Sequence, residues 1–144
     1  MSSNKSPRHR AREFVLQGLY QSLVGGQDQA AIEGQAADVT GFDKTDQVLY
    51  RSLLTQTLDQ APTLQAALAP YVDRPWHEIS PIERGILLIA ACEFSHFPET
   101  PYRVILNEAI DLAKDFGGTD GHKFINGVRD KLAVQLRPNE AKRA

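Results

Sequence analysis

Two groups of side chains have the types and spacing that metal or enzyme sites use. Cys92 and His96 are four residues apart, which places both on one face of a helix, as two metal ligands can be. No second Cys/His pair accompanies them, and Cys92 lies in an apolar run over residues 86–92, where a thiol usually behaves as a small buried hydrophobic group. Chance spacing is the preferred interpretation, and the sequence predicts no metal and no cofactor.

Three carboxylates share another predicted helix face. Glu108, Asp111 and Asp115 recur at 3/4 spacing and have the composition of an acid/base cluster, but Lys114 lies among them and a solvated face is favoured. The sequence has no Gly-rich phosphate loop, nucleophile elbow or dinucleotide-binding fingerprint. We therefore predict that the protein is not an enzyme and has no catalytic residues.

The first feature that indicates a ligand is a basic N-terminal segment. Residues 1–12 include Lys5, His9 and arginines at 8, 10 and 12 and no acidic residue, although the net charge of the whole chain is only −2. Composition alone fits a solubilising terminus as well as a binding arm. Cations at a helix N-terminus oppose the helix dipole, so these arginines favour an external anionic partner.

The second feature is a glycine-rich turn between two predicted helices, from Phe116 to Asn126. Its glycines expose the backbone, and the helix that follows offers N–H groups that suit phosphate. Lys123 adds a positive charge, and Phe116 and Phe124 could stack on bases. Core packing is the simpler interpretation for either phenylalanine alone, but the whole cluster indicates nucleic acid.

The elements that would position these residues are helical. Apolar residues recur at 3/4 spacing along nearly the whole chain, and no segment alternates like a strand. We predict an all-α fold, a compact single domain of six or seven helices. Gly25-Gly26 should end the first helix, and a weaker helix should cover residues 28–37. Thr45 or Asp46 should cap the third, which Pro62 should interrupt by opening a shorter helix.

Capping signals define the remaining helices. Ser80 as N-cap, Pro81 at the first helical position and Glu83 in a capping box should open a buried central helix. Thr100-Pro101 should open the next helix in the same way. Gly117-Gly118 should end that helix, Thr119 or Asp120 should cap the last one, and Arg137-Pro138 should stop it.

Size and composition fit one soluble domain. The 42% hydrophobic content argues against disorder. No run approaches the roughly 20 apolar residues of a membrane span, and the N-terminus lacks the apolar stretch of a signal peptide. The single cysteine excludes an internal disulfide and fits a reducing cytoplasm. We expect a cytoplasmic protein with a flexible basic arm over residues 1–7, a helical domain over 8–138 and a tail over 139–144.

Several segments resemble the NusB family of transcription antitermination factors. The family's opening helix is similar to Ala11-Arg12-Glu13 and Gln17-Gly18-Leu19-Tyr20. Its C-terminal signature is similar, in unbroken order, to residues 107–114, Phe116-Gly117, residues 122–128 and Asp130-Lys131. The resemblance extends from about Pro7 to Pro138, and its C-terminal part is long and highly specific.

This resemblance implies a compact fold of two small helical bundles and binding of the boxA element in nascent ribosomal RNA transcripts. Family members bind this single-stranded RNA as a heterodimer with the ribosomal protein that acts as Nus factor E. The complex then joins the RNA polymerase elongation complex with other Nus factors and suppresses termination.

By position, the resemblance also assigns roles to individual residues. The RNA-binding arm corresponds to Arg8, Arg10 and Arg12, and the RNA-facing turn to Phe116, Asp120 and Phe124. His9 and Lys123, which lie among them, are further RNA-binding candidates. Tyr20 and Glu83 fall where the family meets the ribosomal protein. His9 departs from the run of arginines often found there, which reduces the charge of the arm at neutral pH.

Two alternatives belong to other functional classes. Some RNA methyltransferases begin with a NusB-like domain, but these 144 residues contain no methyl-donor-binding region. The second alternative, which the sequence leaves open, is a structural or regulatory protein that self-associates as a homodimer and thereby masks its RNA face. A size measurement with and without RNA separates that case from the RNA-binding one.

Overall fold

In a computed structural model, residues 5–138 are described, so the predicted tail and the first four residues of the predicted arm lie outside the described residues. The all-α prediction is confirmed: no strand occurs in this range. Short 3-10 turns cover Phe42–Lys44, Ala69–Tyr71 and Trp76–Glu78. The six helices are α1 (Pro7–Gly25), α2 (Gln29–Ala37), α3 (Gln47–Leu68), α4 (Pro81–His96), α5 (Tyr102–Phe116) and α6 (Gly118–Leu136).

The chain divides into two compact units, Met1–Asp59 and Gln60–Ala144, with the boundary inside α3. Two units agree with the two small bundles that the family resemblance implies. Within residues 5–138, no helix is both long and apolar enough to cross a membrane.

Unit 1 has a core of apolar residues on α1 and α2 beside an aromatic cluster. Phe14, Phe42 and Tyr50 pack edge to face, with the Phe42 centroid 5.1 Å from Phe14 and 5.2 Å from Tyr50. Such edge-to-face pairs are favourable beyond their buried area. Burial, followed by the nearby charge of Glu33, raises the pKa of Tyr50 to about 12, so its hydroxyl stays neutral.

Unit 2 is built around α4. Every residue from Gly85 to Phe94 is buried, and α4 packs against both α5 and α6. This confirms the predicted central helix, since a helix that is apolar nearly all round needs neighbours on every side. The apolar stripes that cover it include Ile105 and Leu112 of α5 and Ile125 and Leu132 of α6.

The guanidinium of Arg137 hydrogen-bonds to carbonyls at the C-terminal end of α4. Arg137 Nε donates to the Phe94 carbonyl at 3.0 Å, and Nη2 donates to the carbonyls of Glu93 at 3.2 Å and Phe97 at 3.0 Å. Its Nη1 donates to the Thr100 carbonyl at 3.0 Å. The Glu93 and Phe97 carbonyls also accept from the backbone N–H groups of Phe97 and Thr100. One side chain thus adds donors to acceptors of both the helix end and the α4–α5 connection.

Most predicted helix ends are confirmed. Gly26 ends α1 in the left-handed region at φ 66°, as a C-terminal glycine can. Asp46, rather than Thr45, caps α3 by accepting from the Leu49 N–H at 3.0 Å. Ser80 Oγ accepts from the Glu83 N–H at 3.2 Å, with Pro81 opening α4.

Three local predictions are wrong. Pro62 does not end a helix: α3 continues through it, because the buried residues Leu64 and Leu68 hold the next turns in place. Thr100 does not cap α5, whose N-cap position is Pro101. Thr119 and Asp120 lie inside α6, because Gly118 at φ 66° reverses the chain in one residue and lets the helix begin there.

Candidate nucleic-acid interface

The basic residues that follow Ser6 lie in the first turns of α1. Ser6 Oγ accepts from the His9 N–H at 3.0 Å, and Pro7 stands at the first helical position. The side chain of Arg8 is 48% exposed, with Nη1 3.8 Å from Asp46 Oδ2. Arg10 is partly buried, with its guanidinium near Gly41. Both arginines are open to a ligand, and a 3.8 Å ion pair at this exposure holds Arg8 only weakly.

Arg12 and His9 are buried, unlike the other two basic residues assigned to the RNA-binding arm. Arg12 is only 2% exposed, and His9 Nε2 lies 3.5 Å from Glu13 Oε2. Lys5 also pairs with Glu13. Residues 9 and 12 precede Leu16 at helical spacing and therefore continue the buried stripe of α1. The burial of Arg12 makes Arg8 and Arg10 the accessible arginines of the predicted arm.

The turn that is predicted to face RNA borders a cavity of about 640 Å³ within unit 2. Three of the predicted site residues, Asp120, Lys123 and Phe124, line it from α6, and Glu83 lines it from α4. The connector before α4 and the rest of α6 complete the wall with Tyr71, Asp73, Arg74, Gly127, Val128 and Lys131. The cavity therefore combines aromatic rings with several charged groups of both signs.

Phe124 lies beneath a guanidinium. The Arg74 Cζ atom is 4.6 Å from the centroid of the Phe124 ring, a cation–π distance. The edge of the same guanidinium donates to Asp73: Arg74 Nε lies 2.8 Å from Asp73 Oδ1, and Arg74 Nη2 lies 3.5 Å from Asp73 Oδ2. The hydrogen bond from Arg74 lowers the pKa of Asp73 below its usual value. Phe124 is half-buried, so it belongs to the cavity wall rather than to the core.

Glu83 contacts the beginning of α6. Its Oε2 atom lies 3.1 Å from the position that a Cβ on Gly121 would occupy. The carboxylate therefore packs against the bare backbone of Gly121. No return hydrogen bond from the Ser80 N–H to this carboxylate is present in the described part of the chain, so only the Ser80 half of the predicted capping box forms. The side chain of Glu83 therefore lines the cavity and does not cap α4.

The other predicted residues lie outside this cavity. Phe116 is 37% exposed at the end of α5 and is not among the residues that line the cavity within the described part of the chain. Tyr20 is 42% exposed on α1, together with Leu23 and Val24. Residues at i, i+3 and i+4 share a helix face, so these three form an apolar patch in unit 1.

Sequence reasoning missed Arg74, Asp73, Tyr71 and Lys131. The sequence predicts no functional role for Tyr71 or for the segment over residues 73–78. The one available signal was the adjacent acid and base, Asp73-Arg74, directly before Pro75. Nothing in that signal points to Phe124, which is fifty positions further along the chain.

The residues considered for catalysis differ in exposure, although carboxylate oxygens of Glu108 and Asp111 lie within 4.8 Å of each other. Cys92 is completely buried, whereas His96 on the next turn is exposed. Glu108 is half-buried, and Asp111 and Asp115 are exposed on α5. This distribution agrees with the solvated face that the sequence favoured.

Removal of the Phe124 ring should weaken RNA binding more than it weakens the fold. If a base stacks on the ring, Phe124→Ala costs about 1–3 kcal/mol of RNA affinity. Its half-buried position predicts a smaller folding cost than the roughly 3–5 kcal/mol of a core Phe→Ala substitution. RNA titrations and thermal melting measure the two effects. Phe94→Ala, which removes a buried ring, is the reference for a core loss; a Phe124→Ala protein that melts like it and binds RNA normally would contradict this assignment.

Comparison with known proteins agrees with the sequence resemblance. The NusB family model matches residues 9–133. The transcription antitermination protein NusB of Aromatoleum aromaticum is 56% identical over 138 residues, covering 96% of this chain and 95% of the relative. That of Dechloromonas aromatica is 52% identical over 136 residues, covering 94% and 83%. The solved structure of T. maritima NusB has a TM-score of 0.82 at 24% identity, covers 97% of this chain and 99% of its own, and supports the fold.

Proposed function

The chain belongs to the NusB family, and we propose that it is a non-catalytic, cytoplasmic antitermination factor that binds the boxA element of nascent ribosomal RNA. The observation that carries the RNA-binding part is the unit 2 cavity, where the Phe124 ring and the cations of Arg74 and Lys123 line one wall. Single-stranded RNA is bound through stacking of its bases on aromatic rings and through basic groups that follow its backbone.

Arg8 and Arg10 provide the second part of the proposed RNA surface. Both lie near the N-terminus of α1, where no acidic residue occupies the first turn. The positive end of the helix dipole adds to the attraction of these arginines for phosphate. Asp120 lies among the cations of the unit 2 cavity, so it repels phosphate and limits affinity there.

The proposed partner is the ribosomal protein that acts as Nus factor E, and the proposed destination of the pair is the RNA polymerase elongation complex with other Nus factors. The apolar patch of Tyr20, Leu23 and Val24 supports a protein contact, because an exposed tyrosine with apolar neighbours is typical of interfaces. Glu83 would add charge complementarity to a basic ribosomal protein. Tyr20 supports a partner contact on unit 1, and Glu83 supports one on unit 2.

The arm supplies the test of this function. Replacing Arg8 and Arg10 with alanine should weaken binding of a boxA-type RNA and flatten the log–log salt dependence by about 1.4, because each phosphate contact with single-stranded RNA contributes about 0.7. Fluorescence anisotropy across a salt series, with and without the ribosomal protein, measures both effects.

The matched control is Arg51→Ala with Arg103→Ala, which removes the same charge from two exposed arginines elsewhere. Equal losses in the two double variants would mean that only net charge matters. An unchanged salt slope in the Arg8/Arg10 variant, or a chain that forms homodimers and never binds the RNA, would refute the proposed surface.

A further inference from the structure

The charges around the unit 2 cavity cancel formally. Asp73, Glu83 and Asp120 oppose the cations of Arg74, Lys123 and Lys131. A cavity without net charge attracts phosphate only through the cations that are free to turn toward it. The state of each cation therefore decides how well the cavity binds RNA.

Arg74 is engaged on two sides in the free protein. The face of its guanidinium covers Phe124 at 4.6 Å, and its edge donates to both carboxylate oxygens of Asp73 at 2.8 and 3.5 Å. Two parallel N–H···O contacts to an oxyanion are also how arginine holds a phosphate. The Asp73 carboxylate thus occupies the edge of Arg74 that a phosphate would use, and the guanidinium occupies the ring face on which a base would stack.

We propose that Asp73 is an intramolecular phosphate mimic, and that one nucleotide of the bound RNA replaces both of these contacts. The phosphate takes the edge of Arg74, and the base takes the ring face of Phe124. This inference rests on the proposed function and adds Arg74 as an RNA-binding residue and Asp73 as its competitor. Asp73 and Arg74 are exposed in the connector before α4, so the exchange opens no part of the core.

A double-mutant cycle tests the competition directly. Asp73→Asn keeps the shape of the side chain but not its charge, and Arg74→Gln removes the guanidinium. Asp73→Asn alone should tighten RNA binding about fivefold, since an exposed ion pair of this kind is weak. In the Arg74→Gln background the same substitution should give a much smaller gain, because there is no longer a guanidinium to release.

Asp120→Asn is the matched control for charge. It removes an equal charge from the same cavity, but the carboxylate that accepts hydrogen bonds from Arg74 is that of Asp73. Its effect on affinity should therefore be the same with and without Arg74. Melting temperatures of all the variants should stay close to that of the parent, because residues 73, 74 and 120 are exposed.

The outcomes separate this inference from the function on which it rests. If Asp73→Asn increases RNA affinity equally with and without Arg74, or does not increase it at all, the proposed competition between Asp73 and phosphate is refuted. The proposed function still holds in that case, provided that RNA binding depends on Arg8 and Arg10. A parent protein that binds no boxA-type RNA overturns both. The proposed exchange is supported if Asp73→Asn increases RNA affinity only when Arg74 is present, whereas the effect of Asp120→Asn on affinity is the same with and without Arg74.

Discussion

Replacing Arg137 with methionine should lower the free energy of unfolding by about 3 kcal/mol or more, since each hydrogen bond to a charged donor contributes about 1.5–3 kcal/mol. The guanidinium donates to four carbonyls between Glu93 and Thr100, and methionine retains most of the apolar stem but no donor. Some of these carbonyls will gain water, so the loss is smaller than four full bonds. Urea unfolding followed by circular dichroism measures it.

Arg103→Met is the control for this prediction. Arg103 is an exposed arginine on α5 whose Nε donates to the Tyr102 hydroxyl at 3.3 Å, so its loss should change stability by less than about 0.5 kcal/mol. Arg137→Lys should fall between the parent and Arg137→Met, because one ammonium cannot span the four acceptors. Equal stability of the Arg137→Met and Arg103→Met proteins would show that the carbonyl contacts contribute nothing.

Replacing Gly18 with valine should destabilise unit 1 by about 3 kcal/mol, the upper end of the usual range for overpacking. A Cβ at this position would lie 2.7 Å from Ile32 Cγ2 and 3.3 Å from Leu54 Cδ1. Ile32 Cγ2 is attached directly to a branched Cβ and is not the flexible end of a side chain, so α1 and α2 must move apart. Valine adds two further methyl groups to the clash.

Gly34→Val is the matched control on α2. No atom lies within 4 Å of the Cβ that Gly34 would acquire, and valine forms helix better than glycine, so stability should stay the same or rise by up to about 0.5 kcal/mol. Thermal and urea unfolding of both variants give the comparison. Similar losses at the two positions would mean that close packing of α1 on α2 does not explain the glycine at position 18.

Local signals predicted the helices well because helix ends are decided by a few neighbouring residues. The Ser80 hydroxyl and the Pro81 ring open α4, and Gly26, which lacks a Cβ, ends α1 in the left-handed region. Pro62 shows the limit of such reasoning. Its missing N–H weakens α3 at that point, but the buried residues of the next turns keep the helix continuous.

The candidate site was less predictable because tertiary packing determines which charged groups reach solvent. Arg8 and Arg12 are both arginines one turn apart, yet only Arg12 falls on the buried stripe of α1. Arg74 lies over Phe124 because the connector before α4 packs near α6, and no periodicity encodes that proximity. The chemistry of the cavity therefore depends on contacts between residues distant in sequence.

The position of Arg137 has a consequence for how the chain folds during synthesis. All residues of unit 1 have been joined once Asp59 is added, whereas the α4–α5 connection receives its guanidinium only when Arg137 is added. At about 5–20 residues per second, the ribosome needs roughly 4–16 s for that interval. The apolar surface of α4 is complete only at His96, so at the same rate it remains without the whole of α6 for roughly 2–8 s. During that time unit 2 is the part of the nascent chain more exposed to misfolding and chaperone binding.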